Sequence, residues 1–298
     1  MTNLDHRTAA DSIDADSIDA QAGDAVSTAA EALAARRAER RDQVTSRRGP
    51  AAFLAGEFVT DPDQRIDGAP GRWSPLPDGG AGLLVRADAS EGVRIGGVLV
   101  DGEAVLYADA GSGPTIAEFP DGAEGVIFSY DRTKFALQVW RSDSDWAKRF
   151  HDIAAYPRDT DWIVTASVRP VAAGRTVAIT HHRDPNPVAV PVVAELTFTH
   201  DGAEHHLLAT PGPAGEDQLL VHFRDATNGD ESYASGRSVR VQNTGAATVD
   251  LDFNQAELLP CSFSHAWNCP LPPAENTLPI PVRAGERNAV DAAGVPIL

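Results

Sequence analysis

Two groups of side chains in this 298-residue sequence could carry chemistry. The first begins in HFRDATNGDESYASGRSV, residues 222–239, where Asp225, Thr227, Tyr233 and Arg237 fall close together, and it continues downstream with Asp252, Asn254, Asn276 and Glu286. A carboxylate here, Asp225 or Asp252, would serve as a general base, and the planar fork of Arg237 would hold an anion. Thr227, Tyr233, Asn254, Asn276 and Glu286 would complete the ligand-binding pocket. Strand alternation places Asp225 on the face of Val221 and Phe223, and Arg237 on the face of Val239 and Val241, so an acid and an arginine turn inward together. Buried charges of this kind need each other or a ligand, because an unpaired one costs several kcal/mol. The same residues also have a purely structural reading. Asn228-Gly229 is a two-residue hairpin signal, with Asp225 and Thr227 capping backbone amides and Arg237 completing an ion pair.

Asp252 and Asn254 alternate with Val249, Leu251 and Phe253, which assigns them to the polar face of a strand, aimed at solvent or a cleft.

The second group is Cys261, His265 and Cys269, spaced C-x3-H-x3-C and holding both cysteines of the chain. Zinc sites take four ligands, usually as two tight pairs, and this pattern offers three with no second pair. A helix would align all three, but Pro260, Pro270 and the prolines that follow argue for a loop. Buried structural thiols, a disulfide, and a metal or catalytic thiol site all remain open. The histidines at 181, 182, 200, 205, 206 and 222 offer a weaker metal reading, against solvated strand histidines, since adjacent histidines in a strand point to opposite faces.

Nothing names a cofactor: there is no GxGxxG following a strand, no Walker loop, no HExxH helix and no GxSxG elbow.

These residues must be positioned by strands. With 21 Pro and 25 Gly, the chain from Ala51 reads as short apolar runs cut by turn residues. The expected organisation is a disordered acidic tail (1–26), a helix (27–48) capped by Thr28 and Glu31, a first β unit (51–155) and a second (156–290) ending in a Pro-rich segment. A short connecting helix falls near 142–153, with a Ser cap and Trp146, Phe150 and Ile153 on one side. The fold class is therefore mainly β, two sandwich- or barrel-type units with an N-terminal helix and one short helix between them.

With 25 Lys and Arg against 43 Asp and Glu, the net charge of −18 repels phosphate backbones and anionic membranes, so neither nucleic acid nor membrane is an expected partner. The arginines at 36, 37, 40, 41, 47 and 48 are expected to neutralise part of the acidic body. No secretory pattern opens the chain and no apolar run is long enough to span a bilayer, so a cytoplasmic setting is expected.

The stretch from HFRDATNGDESYASGRSV through DLDFN, PC, CPLPPAEN and AGE resembles domain-of-unknown-function family 1684, and FALQVW and YPRDTDW upstream belong to the likeness. The resemblance maps motif positions onto Phe223, Asp225, Thr227, Gly229, Tyr233, Gly236, Arg237, Asp252, Phe253, Asn254, Cys261, Cys269, Pro270, Pro272, Pro273, Asn276, Gly285 and Glu286. It departs at Ser232, at Ser238 and in QAELL after Asn254, and His265 is not one of its positions. It implies positions rather than a reaction. The expected function is binding or transformation of a small molecule, anions among the candidates, in a pocket of the second β unit. The alternatives are a metal or thiol site at Cys261, His265 and Cys269, and a noncatalytic β scaffold.

Overall fold

The computed structural model describes residues 15–77, 79–108, 114–129, 133–213 and 215–298, with side chains from residue 28 onward, Glu216 excepted. The chain separates into two compact units, one ending at Arg40 and the other comprising Arg41–Leu298. Helix α1 (Ala15–Thr45) makes up the described part of the first unit and continues into the second. The expected tail lies outside the described residues as far as residue 14, and from Ala15 the chain is helical. Thr28 consequently sits inside the helix rather than capping it.

The second unit is mostly β. Its first ten strands are β1 (Phe53–Phe58), β2 (Gln64–Ile66), β3 (Ala69–Pro75), β4 (Gly82–Ala87), β5 (Arg94–Ile95), β6 (Val98–Leu99), β7 (Gly102–Tyr107), β8 (Ala117–Glu118), β9 (Glu124–Phe128) and β10 (Ala136–Trp140). They form a six-stranded sheet ordered β1-β10-β9-β8-β5-β6 and a four-stranded sheet ordered β2-β3-β4-β7. Both sheets feed one core, in which Trp73, Leu83, Val85 and Leu106 of the smaller sheet join Ala55, Ala117, Leu137 and Val139 of the larger. The alternation is visible in β4, where Leu83, Val85 and Ala87 are buried and Arg86 is exposed.

A short helix α2 (Asp145–Arg149) follows, capped by Ser144, whose hydroxyl accepts from the Ala147 amide at 3.1 Å and donates to the Ala51 carbonyl at 3.0 Å. Then come β11 (Asp152–Ala155), β12 (Ile163–Pro170), β13 (Thr176–His181), β14 (Asp184–Pro191), β15 (Ala194–His200), β16 (Ala203–Gly212), β17 (Gly215–Phe223), β18 (Arg237–Gln242), β19 (Thr248–Asp252), β20 (Glu257–Leu258) and β21 (Glu286–Val290). Seven of these form a half-barrel sheet ordered β19-β12-β15-β16-β17-β18-β20. Its core holds Leu196, Phe198, Leu207, Val221, Phe223, Val239, Leu251 and Phe253. The β13-β14 hairpin packs Val177 and Ile179 onto Leu208, and β21 pairs with β11.

Residues 260–269 lie against the opening of the first β region. Trp267 stacks on Phe53 with ring centroids 3.9 Å apart and donates from its indole nitrogen to the Pro50 carbonyl at 3.0 Å. Ser264 donates to the Phe53 carbonyl at 2.8 Å. Cys261, Phe263 and Cys269 share an apolar cluster with Val44, Ala51 and Phe150. The basic residues at the end of the helix do meet the acidic body: Arg47 and Arg48 reach the buried Glu124 at 2.6 and 3.7 Å, and Arg41 reaches Asp152 at 3.4 Å.

Trp267→Ala removes the ring stack and one hydrogen bond at this joint. The expected loss is about 3 kcal/mol in urea denaturation followed by circular dichroism, and an unchanged midpoint would show that the joint is held elsewhere.

Candidate functional site

The connection between β17 and β18 is a long loop, residues 224–236, rather than the two-residue hairpin that Asn228-Gly229 signals. The loop is stitched to the C-terminal segment: the Arg224 amide donates to the Asn276 carbonyl at 2.9 Å, and Leu278 and Ala226 continue the exchange. Within it the Asp225 carboxylate accepts from the Thr227 amide at 2.9 Å and the Thr227 hydroxyl at 2.6 Å through Oδ1, the Asx-turn use of a short acid. Oδ1 also accepts from the Val282 amide at 3.2 Å. Gly236, at φ 88°, closes the loop where an added Cβ would lie 2.5 Å from the Phe223 carbonyl oxygen, so no other residue fits.

The inward convergence of acid and arginine is present. Arg237 and Asp225 pair at 2.7 Å with side chains fully shielded from solvent. The remaining donors of the guanidinium ends are taken by backbone: Nη2 donates to the Val282 carbonyl at 2.7 Å, and Nη1 to the Ala284 carbonyl and, at 3.1 Å, to the Glu286 carbonyl. Phe223 and Tyr156 flank it, ring centroids 5.3 and 5.8 Å from the guanidinium carbon. Burying two charges is costly, and only this density of charge-assisted bonds offsets it.

Other expected site residues are placed in separate groups. Asp252 ends β19 and caps the following turn, accepting from the Asn254 amide at 2.9 Å. Asn254 is thus off the strand and buried, correcting its assignment to a polar strand face: the alternation lapses where the strand stops. Its side-chain amide pairs with the backbone of Asp159, accepting from the amide and donating to the carbonyl, each at 2.8 Å. Asn276 does the same between β16 and β17. It accepts from the Leu208 amide at 2.7 Å and donates to the carbonyls of Leu208 and His222 at 2.9 and 2.7 Å. Glu286 accepts from the Leu258 amide at 2.7 Å. Gly285 beside it, φ 79°, leaves no room for a Cβ against the Ala256 and Phe253 carbonyls.

Tyr233 donates to the Cys261 carbonyl at 3.0 Å, and burial raises its phenol pKa. The Cys261 amide donates to Cys269 Sγ at 3.1 Å. Both thiols are free and buried, and their mutual hydrogen bond raises the Cys269 pKa while lowering that of Cys261. His265 is exposed and stands edge-on to Trp146 at 5.1 Å. Among the described residues, no group of three or more His, Cys, Asp or Glu side chains is arranged to hold a metal ion. Three open depressions on the described surface, of about 470 to 560 Å³, have none of the expected catalytic, ligand-binding or metal residues on their walls.

Tyr156 and Asp159, both in the quoted YPRDTDW, are contributors that residue types alone did not single out. Glu231 is another: Arg283 pairs with its carboxylate at 2.6 Å, while Arg287 and Asn288 donate to its carbonyl. Its only sequence sign is an acid in a turn.

The family described as "Protein of unknown function (DUF1684)" matches residues 148–287. The chain belongs to this family. It is also 33% identical to an uncharacterized protein of Haloarcula marismortui known from a solution NMR structure, over 47% of this chain and 77% of that one, with a TM-score of 0.39. No curated protein matches it. The DUF1684 region therefore contains Asp225, Thr227, Tyr233, Arg237, Asp252, Asn254, Cys261, His265, Cys269, Asn276 and Glu286. Among the described residues, no helix is long and apolar enough to cross a membrane.

Arg237→Met leaves Asp225 charged and buried, and is expected to lose about 3–5 kcal/mol. Asn276→Ala strands three backbone groups and is expected to lose about 3 kcal/mol. Equilibrium unfolding checks both, and a loss under 1 kcal/mol in either would contradict the hydrogen bonding described. His222 adds a pH dependence: burial depresses its pKa to about 4, and its Nδ1 is sealed without a partner. An unfolded histidine takes up its proton near pH 6.5, so its contribution is complete above that pH and declines as pH falls to about 4, on the order of 3 kcal/mol in all. His222→Leu should flatten that part of the stability–pH curve.

Proposed function

We propose that the DUF1684 region of this chain is a noncatalytic β scaffold whose polar motif side chains secure irregular backbone instead of lining a reaction site. The observation that carries this reading is Arg237, whose four terminal donors are committed to Asp225 and three carbonyls with no exposed surface. Asn254, Asn276, Glu286 and Tyr233 support it, since each satisfies main-chain groups that would otherwise be buried unpaired. The two free buried thiols agree with a reducing, cytoplasmic setting.

The competing reading has Asp225, Arg237 and Asp252 acting on a small anion. It requires residues 282–286 to swing away from the guanidinium. Native-state hydrogen exchange separates the two. A scaffold keeps the Thr227, Val282 and Leu258 amides in the slowest class, exchanging only with global unfolding like the core of β15. Opening of these amides at a much lower free energy would overturn the scaffold reading and favour the ligand site.

A further inference from the structure

The first β region holds a charged feature on its four-stranded sheet. Arg72 on β3 lies directly opposite Arg86 on β4, and Arg65 on β2 occupies the next strand over, so three arginines cross the exposed face of the four-stranded sheet. Opposed like charges on neighbouring strands destabilise a sheet. Arg86 is compensated, by Glu103 at 2.7 Å and Asp63 at 3.0 Å. Arg65 and Arg72 make no hydrogen bond or ion pair among the described residues, in a chain whose net charge is −18.

These arginines line a depression of about 500 Å³ with Asp88, Glu91 and Glu103. The acids on its wall are already engaged. Glu91 accepts from the Gly71 amide at 3.2 Å and the Asp88 amide at 2.9 Å, one bond to each oxygen. Asp88 caps the turn that carries Glu91, and Glu103 belongs to Arg86. A second depression, of about 560 Å³, shares Arg65 and Glu91 and carries Glu57 and Asp67. Those two carboxylates are beyond ion-pair reach of the arginines, and they would repel an anion extended in that direction.

We propose that this cleft binds a small oxyanion, a phosphate or carboxylate group seated on Arg65 and Arg72 with Arg86 behind them. Two guanidinium forks from adjacent strands on the wall of one cleft supply the donor type that binds such a group bidentately. Glu57 and Asp67 limit the ligand to a compact anion, which excludes nucleic acid and other long polyanions. The cleft lies outside residues 148–287, so the site is independent of the scaffold reading.

The test is a titration of the full chain at low salt with inorganic phosphate, succinate and heparin, observing arginine side-chain NMR signals and the melting temperature. Phosphate or succinate should shift the Arg65 and Arg72 signals saturably and raise Tm, and whichever binds more tightly identifies the oxyanion. Arg72→Ser should weaken binding at least tenfold while leaving Tm of the free protein unchanged or higher, because it relieves the opposed charges. Arg94→Ser, outside the cleft, should bind as the parent does. The proposal is overturned if neither small anion saturates, if heparin binds more tightly than both, or if Arg72→Ser binds normally or lowers Tm of the free protein.

Discussion

An arginine side chain cannot shed its charge on burial, so wherever the chain folds over Arg237 it must supply acceptors. The carbonyls of Val282, Ala284 and Glu286 are the supply, and reaching them obliges the C-terminal segment to cross the start of β18 in one direction and at one depth. The rest follows from that crossing. Gly285 is brought against the Ala256 and Phe253 carbonyls, where only a residue without Cβ fits, and Glu286 is brought to the Leu258 amide of β20. Asp225 shares Nη2 with the Val282 carbonyl and takes the Val282 amide as well, so loop 224–236 and the crossing segment are set by one ion pair.

Asn254 and Asn276 repeat a second device. A primary amide offers the same donor and acceptor as a peptide group, so it can stand in for a missing strand neighbour. Asn276 does this where β16 and β17 diverge, and Asn254 does it for the loop at Asp159. Irregular backbone would otherwise bury unpaired groups at a cost of 1–3 kcal/mol each. The motif residues of the DUF1684 region read as answers to that requirement, which accounts for a polar signature with so little exposure.

Much of this was legible in the residue pattern. Period-two alternation located the strands, and parity turned Arg237 inward at the start of β18; Asp225, two residues past the end of β17, meets it there from the loop. What was not legible arises where the period ends. Parity holds only while a strand continues, and β19 stops at Asp252, so Asn254 turned inward although its spacing pointed outward. Asn228-Gly229 carries a hairpin signal, yet the loop is shaped by contacts with residues 276–282, far along the chain, which no local dipeptide encodes. The C-x3-H-x3-C spacing likewise holds no information about depth: both cysteines are buried and His265 is exposed.

The contacts of Ser264 and Trp267 reach back 211 and 217 residues to the carbonyls of Phe53 and Pro50. On a ribosome adding about 5–20 residues per second, the N-terminal side of this joint would wait roughly ten to forty seconds for its partners. During that interval Phe53, buried in the finished molecule, has no Trp267 to cover it. Until residues 264–267 emerge, the nascent first β region would therefore leave one face of Phe53 open, which ties the finish of its first strand to a segment made more than two hundred residues later.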